Sequence, residues 1–170
     1  ATFYYRLESG ADYAVGGGNY TISNIDVATA YELLSDPESQ TVDFFLTGPS
    51  GPDDSSALAK VTSLANIVEE RRDCILFVSP RRANVIGVAN ASSATDNIID
   101  FFDKLPSSSY IVFDSGYKYI YDKYNDVYRY VPCNGDVAGL CLQTTEVAEP
   151  WFSPAGFQRG TLRNAIKLAY

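Results

Sequence analysis

With 170 residues, 46% of them apolar and 20% charged, the chain has the makings of one ordinary hydrophobic core and not of a disordered segment. A net charge of −8 disfavours general binding to the nucleic-acid backbone, which needs clustered Lys and Arg. The lack of any histidine excludes Ser-His-Asp and Cys-His catalysis and removes the commonest zinc ligand and proton shuttle.

Along the chain, Thr2–Tyr20 mixes aromatics with glycines, and Gly16-Gly17-Gly18 predicts strand and loop around a flexible turn. Ser23 and Asp26 stand at capping-box spacing ahead of a helix carrying Val27, Ala30, Tyr31 and Leu34, which Pro37 ends. Val42–Leu46 reads as a buried strand. Asp53, Asp54 and Ser55 can cap the next helix, whose stripe is Leu58, Val61, Leu64, Ala65 and Val68 and whose end carries Arg71-Arg72. Ile75–Val78 is a second buried strand, stopped by Pro80, and apolar runs of this length do not span a membrane. Ala94–Leu105 is a helix with Ile98, Phe101, Phe102 and Leu105 on one face, and Tyr110–Phe113 is a third buried strand.

Buried strands separated by amphipathic helices predict an α/β fold, a mostly parallel or mixed central sheet flanked by helices. Lys118–Val131 alternates aromatics and charges around Asn125-Asp126, which predicts an added hairpin. A two-residue turn there sets Asp122 opposite Arg129 and Tyr121 opposite Tyr130. Asn134-Gly135-Asp136 is expected to cap a helix bearing Val137, Leu140, Cys141 and Val147, which Pro150 stops. In the last stretch Leu162, Ile166 and Ala169 fit a helical stripe, with a strand as the alternative.

Little in this pattern carries chemistry. The basic pairs Arg71-Arg72 and Arg81-Arg82 suit local salt bridges or a basic contact patch. Cys74, Cys133 and Cys141 are odd in number with no C-x-x-C spacing, which favours buried free thiols in a reducing compartment. The triple glycine lacks dinucleotide-binding spacing. Among the carboxylates, Asp53-Asp54 sit at cap positions and Asp100 and Asp103 share the exposed side of a helix. Asp114 lies just past a strand's C-terminal end, where α/β sheets gather ligands. Asp114-Ser115-Gly116 begins like an adhesion-type metal motif, but Tyr117 stands where that motif needs a hydroxyl of another kind. A turn residue satisfied by backbone is the favoured reading.

The last third of the chain carries more. Tyr110-Ile-Val-Phe-Asp-Ser-Gly-Tyr-Lys-Tyr119, Tyr121-Asp-Lys-Tyr-Asn-Asp126, Val131-Pro-Cys-Asn-Gly-Asp-Val-Ala-Gly-Leu140 and Ala148-Glu-Pro-Trp-Phe-Ser-Pro-Ala-Gly-Phe157, with Arg159-Gly160 and Lys167-Leu168-Ala169-Tyr170 after it, resemble the tail sheath proteins of T-even-type contractile phages. Cys133 departs from the larger apolar residue often found there, which marks a packing position. The resemblance implies a non-enzymatic structural subunit without cofactor. On it, residues 1–170 are expected to be a single core domain of a longer subunit, with 1–40 as a peripheral β/α appendage.

The implied partners are other copies of the chain in hexameric rings and a helical sheath, together with the tail tube and baseplate. Direct contact with nucleic acid or membrane is not implied. The implied location is the virion, after synthesis in the host cytoplasm. Neighbours in such a family exchange terminal arms by β-augmentation. Switchable salt bridges between rigid subunits are expected at Arg81, Arg82, Lys118, Asp122, Lys123, Arg129, Arg159, Arg163 and Lys167. Pro150, Trp151, Phe152, Pro154 and Gly156 are expected to form a rigid corner pinned by aromatic burial. A carboxylate-dependent hydrolase or carbohydrate-binding module is the alternative from a different class.

Overall fold

The computed structural model describes residues 24–157 and 159–169. The expected strand and turn of residues 2–20, with the cap at Ser23, lie outside them. Three strands, β1 (Phe44–Leu46), β2 (Ile75–Val78) and β3 (Ile111–Phe113), form a parallel sheet in the order β1-β2-β3. The α/β expectation is met. Helix α1 (Asn24–Glu32) precedes β1 and packs on α2 (Asp54–Arg71), which links β1 to β2. Helices α3 (Arg82–Val85) and α4 (Ala91–Phe102) link β2 to β3.

Local chemistry sets the helix ends. Asp53 accepts the Ser56 N–H at 2.9 Å and caps α2, and Arg72 closes that helix in the left-handed region at φ 60°. Asn90 caps α4 by accepting the Ser93 N–H at 2.9 Å. This cap starts α4 three residues earlier than the apolar stripe alone predicts, and Leu105 is buried in the turn beyond the helix.

Alternation along the strands divides the core. Phe45, Leu76, Val78 and Ile111 share one cluster with Ala57, Val61, Leu64, Ala65 and Val68 of α2 and Phe101 of α4. Phe77 points to the other face and meets Phe44 edge-on at 5.1 Å. Helix α5 (Asn134–Val147) packs against β1 and β2. Its buried positions are Asn134, Ala138 and Thr144, one helical face. Val147, expected on that face, is exposed.

A second, antiparallel sheet has the order β5-β4-β6, from β4 (Tyr117–Asp122), β5 (Val127–Pro132) and β6 (Lys167–Ala169). The hairpin forms, but its register corrects the expected one. Asp122 pairs with Val127, Tyr121 with Tyr128 and Tyr119 with Tyr130, around a four-residue loop, 123–126. Asp122 organises that loop by accepting the Tyr124 N–H at 3.1 Å and the Asn125 side-chain amide at 2.8 Å, while Asp126 adopts φ 53°. The slip moves each partner by two residues, so every side chain keeps its face. Asp122 and Arg129 thus still meet, diagonally, at 3.1 Å. The tail ambiguity resolves as strand: Lys167–Ala169 pairs with Tyr117–Tyr119.

Candidate functional site

The C-terminal ends of the parallel strands, where an α/β enzyme would place its chemistry, hold a polar cluster. Ser79 follows β2, Asp114 follows β3, Thr47 and Ser50 follow β1, and Asn134 opens α5. The Ser79 hydroxyl donates to Asp114 Oδ2 at 2.6 Å and accepts the Asn134 N–H at 3.0 Å. The Gly116 N–H donates to Asp114 Oδ1 at 3.0 Å. The Asn134 side chain donates to Gly48 O at 2.7 Å and Thr47 Oγ1 at 3.0 Å, and Ser50 Oγ donates to Ser79 O at 2.5 Å. Asn134 was expected to cap α5; instead it bolts the helix start to the loop after β1, and Cys133 occupies the cap position without a side-chain bond.

A serine hydroxyl on a carboxylate has the outline of a nucleophile and its base. The geometry rejects that use. Ser79 has no exposed surface, and its oxygen is engaged as both donor and acceptor inside the fold. Burial is the main influence on Asp114 and pushes its pKa up to about 6, against the hydrogen bonds from Ser79 and Gly116. Burial also lifts the Cys133 thiol to about 11 and raises Cys74 and Cys141, so the thiolate form is suppressed at all three. Among the described residues no group of three or more Cys, Asp or Glu could hold a metal ion, and no helix is long and apolar enough to cross a membrane.

The cluster joins the two sheets. Tyr117, fully buried at the start of β4, donates to Pro80 O at 2.9 Å. It packs with Val85 and Ile98, and with Tyr130 and Ala169 from the two strands beside it. Lys118 reaches Asp136 in the first turn of α5 at 2.8 Å, with both side chains mostly buried.

The nine expected contact residues fall into four groups. Arg81 pairs with Asp54 and donates to Pro52 O at 2.9 Å, and Lys118 holds Asp136; both charges are spent inside the chain. Asp122 and Arg129 pair with each other on the hairpin. Arg82 lies over Tyr130, Lys123 over Tyr124, Arg159 over Phe152 and Lys167 over Tyr119, at 5.0–5.9 Å from the ring centres. Arg163 is exposed.

The other basic pair, Arg71-Arg72, makes the local salt bridge expected of it through Arg71, which also acts as a rivet. Arg71 is buried, bridges Asp73 at 2.9 Å and donates to Leu34 O and Gln40 O, holding the segment after α1 onto α2.

The Pro150–Gly156 corner has turn structure: Phe152 N–H bonds Glu149 O at 2.9 Å, Gly160 N–H bonds Gly156 O at 2.8 Å, and Gly156 takes φ 128°. Its aromatic burial does not occur. Trp151 is 79% exposed, Phe152 49% and Phe157 fully exposed, because no described element of the chain covers this segment.

The fold and its strand-end cluster define an α/β domain whose two sheets are joined by buried hydrogen bonds, with a bare aromatic, basic flank. The chain belongs to the phage tail sheath protein family: residues 21–170 match its "Phage tail sheath protein central domain". It is 37% identical over 97% of its length to the tail sheath protein of Vibrio phage KVP40 and 35% identical over 89% to that of Enterobacteria phage T4. The tail sheath protein of Salmonella phage ViI is 35% identical over 66% of the chain. The chain spans about a quarter of the length of the first two relatives.

Proposed function

We propose that this chain is the load-bearing core of a contractile tail sheath subunit, which assembles with copies of itself into hexameric rings and a helical sheath around a tail tube above a baseplate. The subunit is made in the host cytoplasm and works in the virion. Contraction moves subunits as near-rigid bodies and drives the tube through the host envelope. The observation that carries this reading is the identity of 35–37% to proteins named tail sheath protein over 89–97% of the chain. The bolted junction of the two sheets supports it, because a domain that transmits force must not shear internally. The reading is non-catalytic, and the sequestered Ser79–Asp114 pair favours no hydrolase.

The exposed members of the nine, above all Lys123, Arg129, Arg159, Arg163 and Lys167, supply exchangeable contacts between subunits. Exposed pairs contribute only about 0–1 kcal/mol each, so many can be exchanged without a high barrier at any one. Electron microscopy of the full-length subunit tests the assignment: hollow striated cylinders are expected, and a subunit that never forms a tubular array overturns it.

A further inference from the structure

Charge is unevenly placed in this chain. Residues 24–113 carry thirteen acidic and six basic side chains, whereas 114–170 carry six of each. From Pro150 onward there is no carboxylate side chain at all, only Arg159, Arg163 and Lys167. That stretch also bears the exposed Trp151, Phe152 and Phe157.

Its opposite in charge is the outer face of α4. Asp96, Ile99, Asp100 and Asp103 follow at i, i+3, i+4 and i+7 and form one exposed stripe, with Ile99 at half exposure in its middle. The stripe is unfavourable for an isolated domain. Asp96 and Asp100 repel at i, i+4, and Asp100 and Asp103 sit at the helix C-terminus, where the macrodipole disfavours negative charge and no basic residue occupies the last turn. The one cation nearby in sequence, Lys104, turns to Asp54 at 3.3 Å. The ion pairs among the described residues engage Asp54, Asp73, Asp122 and Asp136, and none of the three on α4.

We infer that the basic aromatic segment Trp151–Lys167 of one copy docks on the α4 face of a neighbouring copy. The three cations of the segment meet the carboxylates of the stripe, and its aromatic residues cover Ile99. Charge complementarity sets the register, and apolar burial supplies the adhesion. Two different patches of one chain make this a heterologous contact, the kind that propagates into rings or helices and does not close on itself as a dimer. The inference rests on the sheath reading and assigns a mating surface within it.

Assembly of full-length subunits, scored by electron microscopy and sedimentation, tests it with paired reversals. Arg159→Glu with Arg163→Glu, and separately Asp96→Lys with Asp100→Lys, should each lower the assembled fraction at least tenfold without lowering the melting temperature, the α4 pair raising it if anything. Combining all four should restore tubes. If the α4 reversal leaves assembly intact, or the combination fails to rescue, the proposed pairing is wrong while the sheath reading stands. If wild-type subunits form no tubes, the sheath reading falls and this inference with it. A cross-link between Ile99→Cys in one copy and Trp151→Cys in another supplies a check independent of charge; it should form in wild-type-like tubes, and its absence overturns the docking.

Discussion

Asp114 shows how burial and bonding compete at one carboxyl group. Its folded-state pKa of about 6 lies above the ordinary 3.8. Between those values the native state keeps a proton that the unfolded chain has released, so this group's contribution to stability is largest below pH 4 and falls as pH rises through 6. Two pKa units correspond to about 3 kcal/mol. Asp114→Asn keeps an acceptor for the Gly116 N–H and carries no charge. The variant should therefore match the wild type in melting temperature at pH 4 and exceed it at pH 8; parallel curves across that range would refute the assignment. Lys118 makes the contrast with the exposed cations. Lys118→Glu should cost about 1.5–3 kcal/mol, because it removes a largely buried charged hydrogen bond to Asp136. Lys123→Glu should change stability by less than about 0.5 kcal/mol. Denaturant midpoints of the two variants separate scaffold from surface.

The elements differ in how far they can be read from the residues alone. Ile75–Val78 is bounded as expected because a run of four apolar residues between Cys74 and Pro80 leaves little freedom. Helix α2 is legible from its cap and stripe. The hairpin is legible as a hairpin but not in register, because the deciding bonds come from Asp122, a residue that reads as strand. Asp122→Ala removes the loop's organiser and its ion pair with Arg129, and should shift amide resonances throughout β4 and β5 while leaving those of α2 in place. Four residues of α3 are too few for any periodicity to announce. The tail strand has three residues and exists only because β4 offers an edge.

Across the fold as a unit, the least legible feature is how its two sheets are joined. Ser79, the Asp114–Tyr117 stretch and Asn134 are far apart in sequence, and none of them alone announces a contact between sheets. The site residues carry the same lesson: Arg81 and Arg159 look alike as letters, yet one is held by Asp54 and the other lies bare over a ring. Trp151 was expected to be buried because its size favours burial, but only a covering surface can bury it, and a composition cannot say where that surface lies. Asn134→Ala breaks two bonds across the junction and leaves Gly48 O without its partner. It should cost about 1–3 kcal/mol, and hydrogen exchange of the variant should show β4 and β5 opening apart from β1–β3, whereas a single cooperative opening would count against Asn134 as the bolt.

The lopsided placement of charge, acid-rich through β3 and balanced after it, gives the acidic α4 face and the basic Trp151–Lys167 flank fields of opposite sign. Two copies drifting together in dilute buffer would feel a torque before touching and arrive already pointed head to tail. At 1 M salt the field reaches only about 3 Å and that guidance disappears, so growth of an array should slow with ionic strength well before its finished contacts weaken.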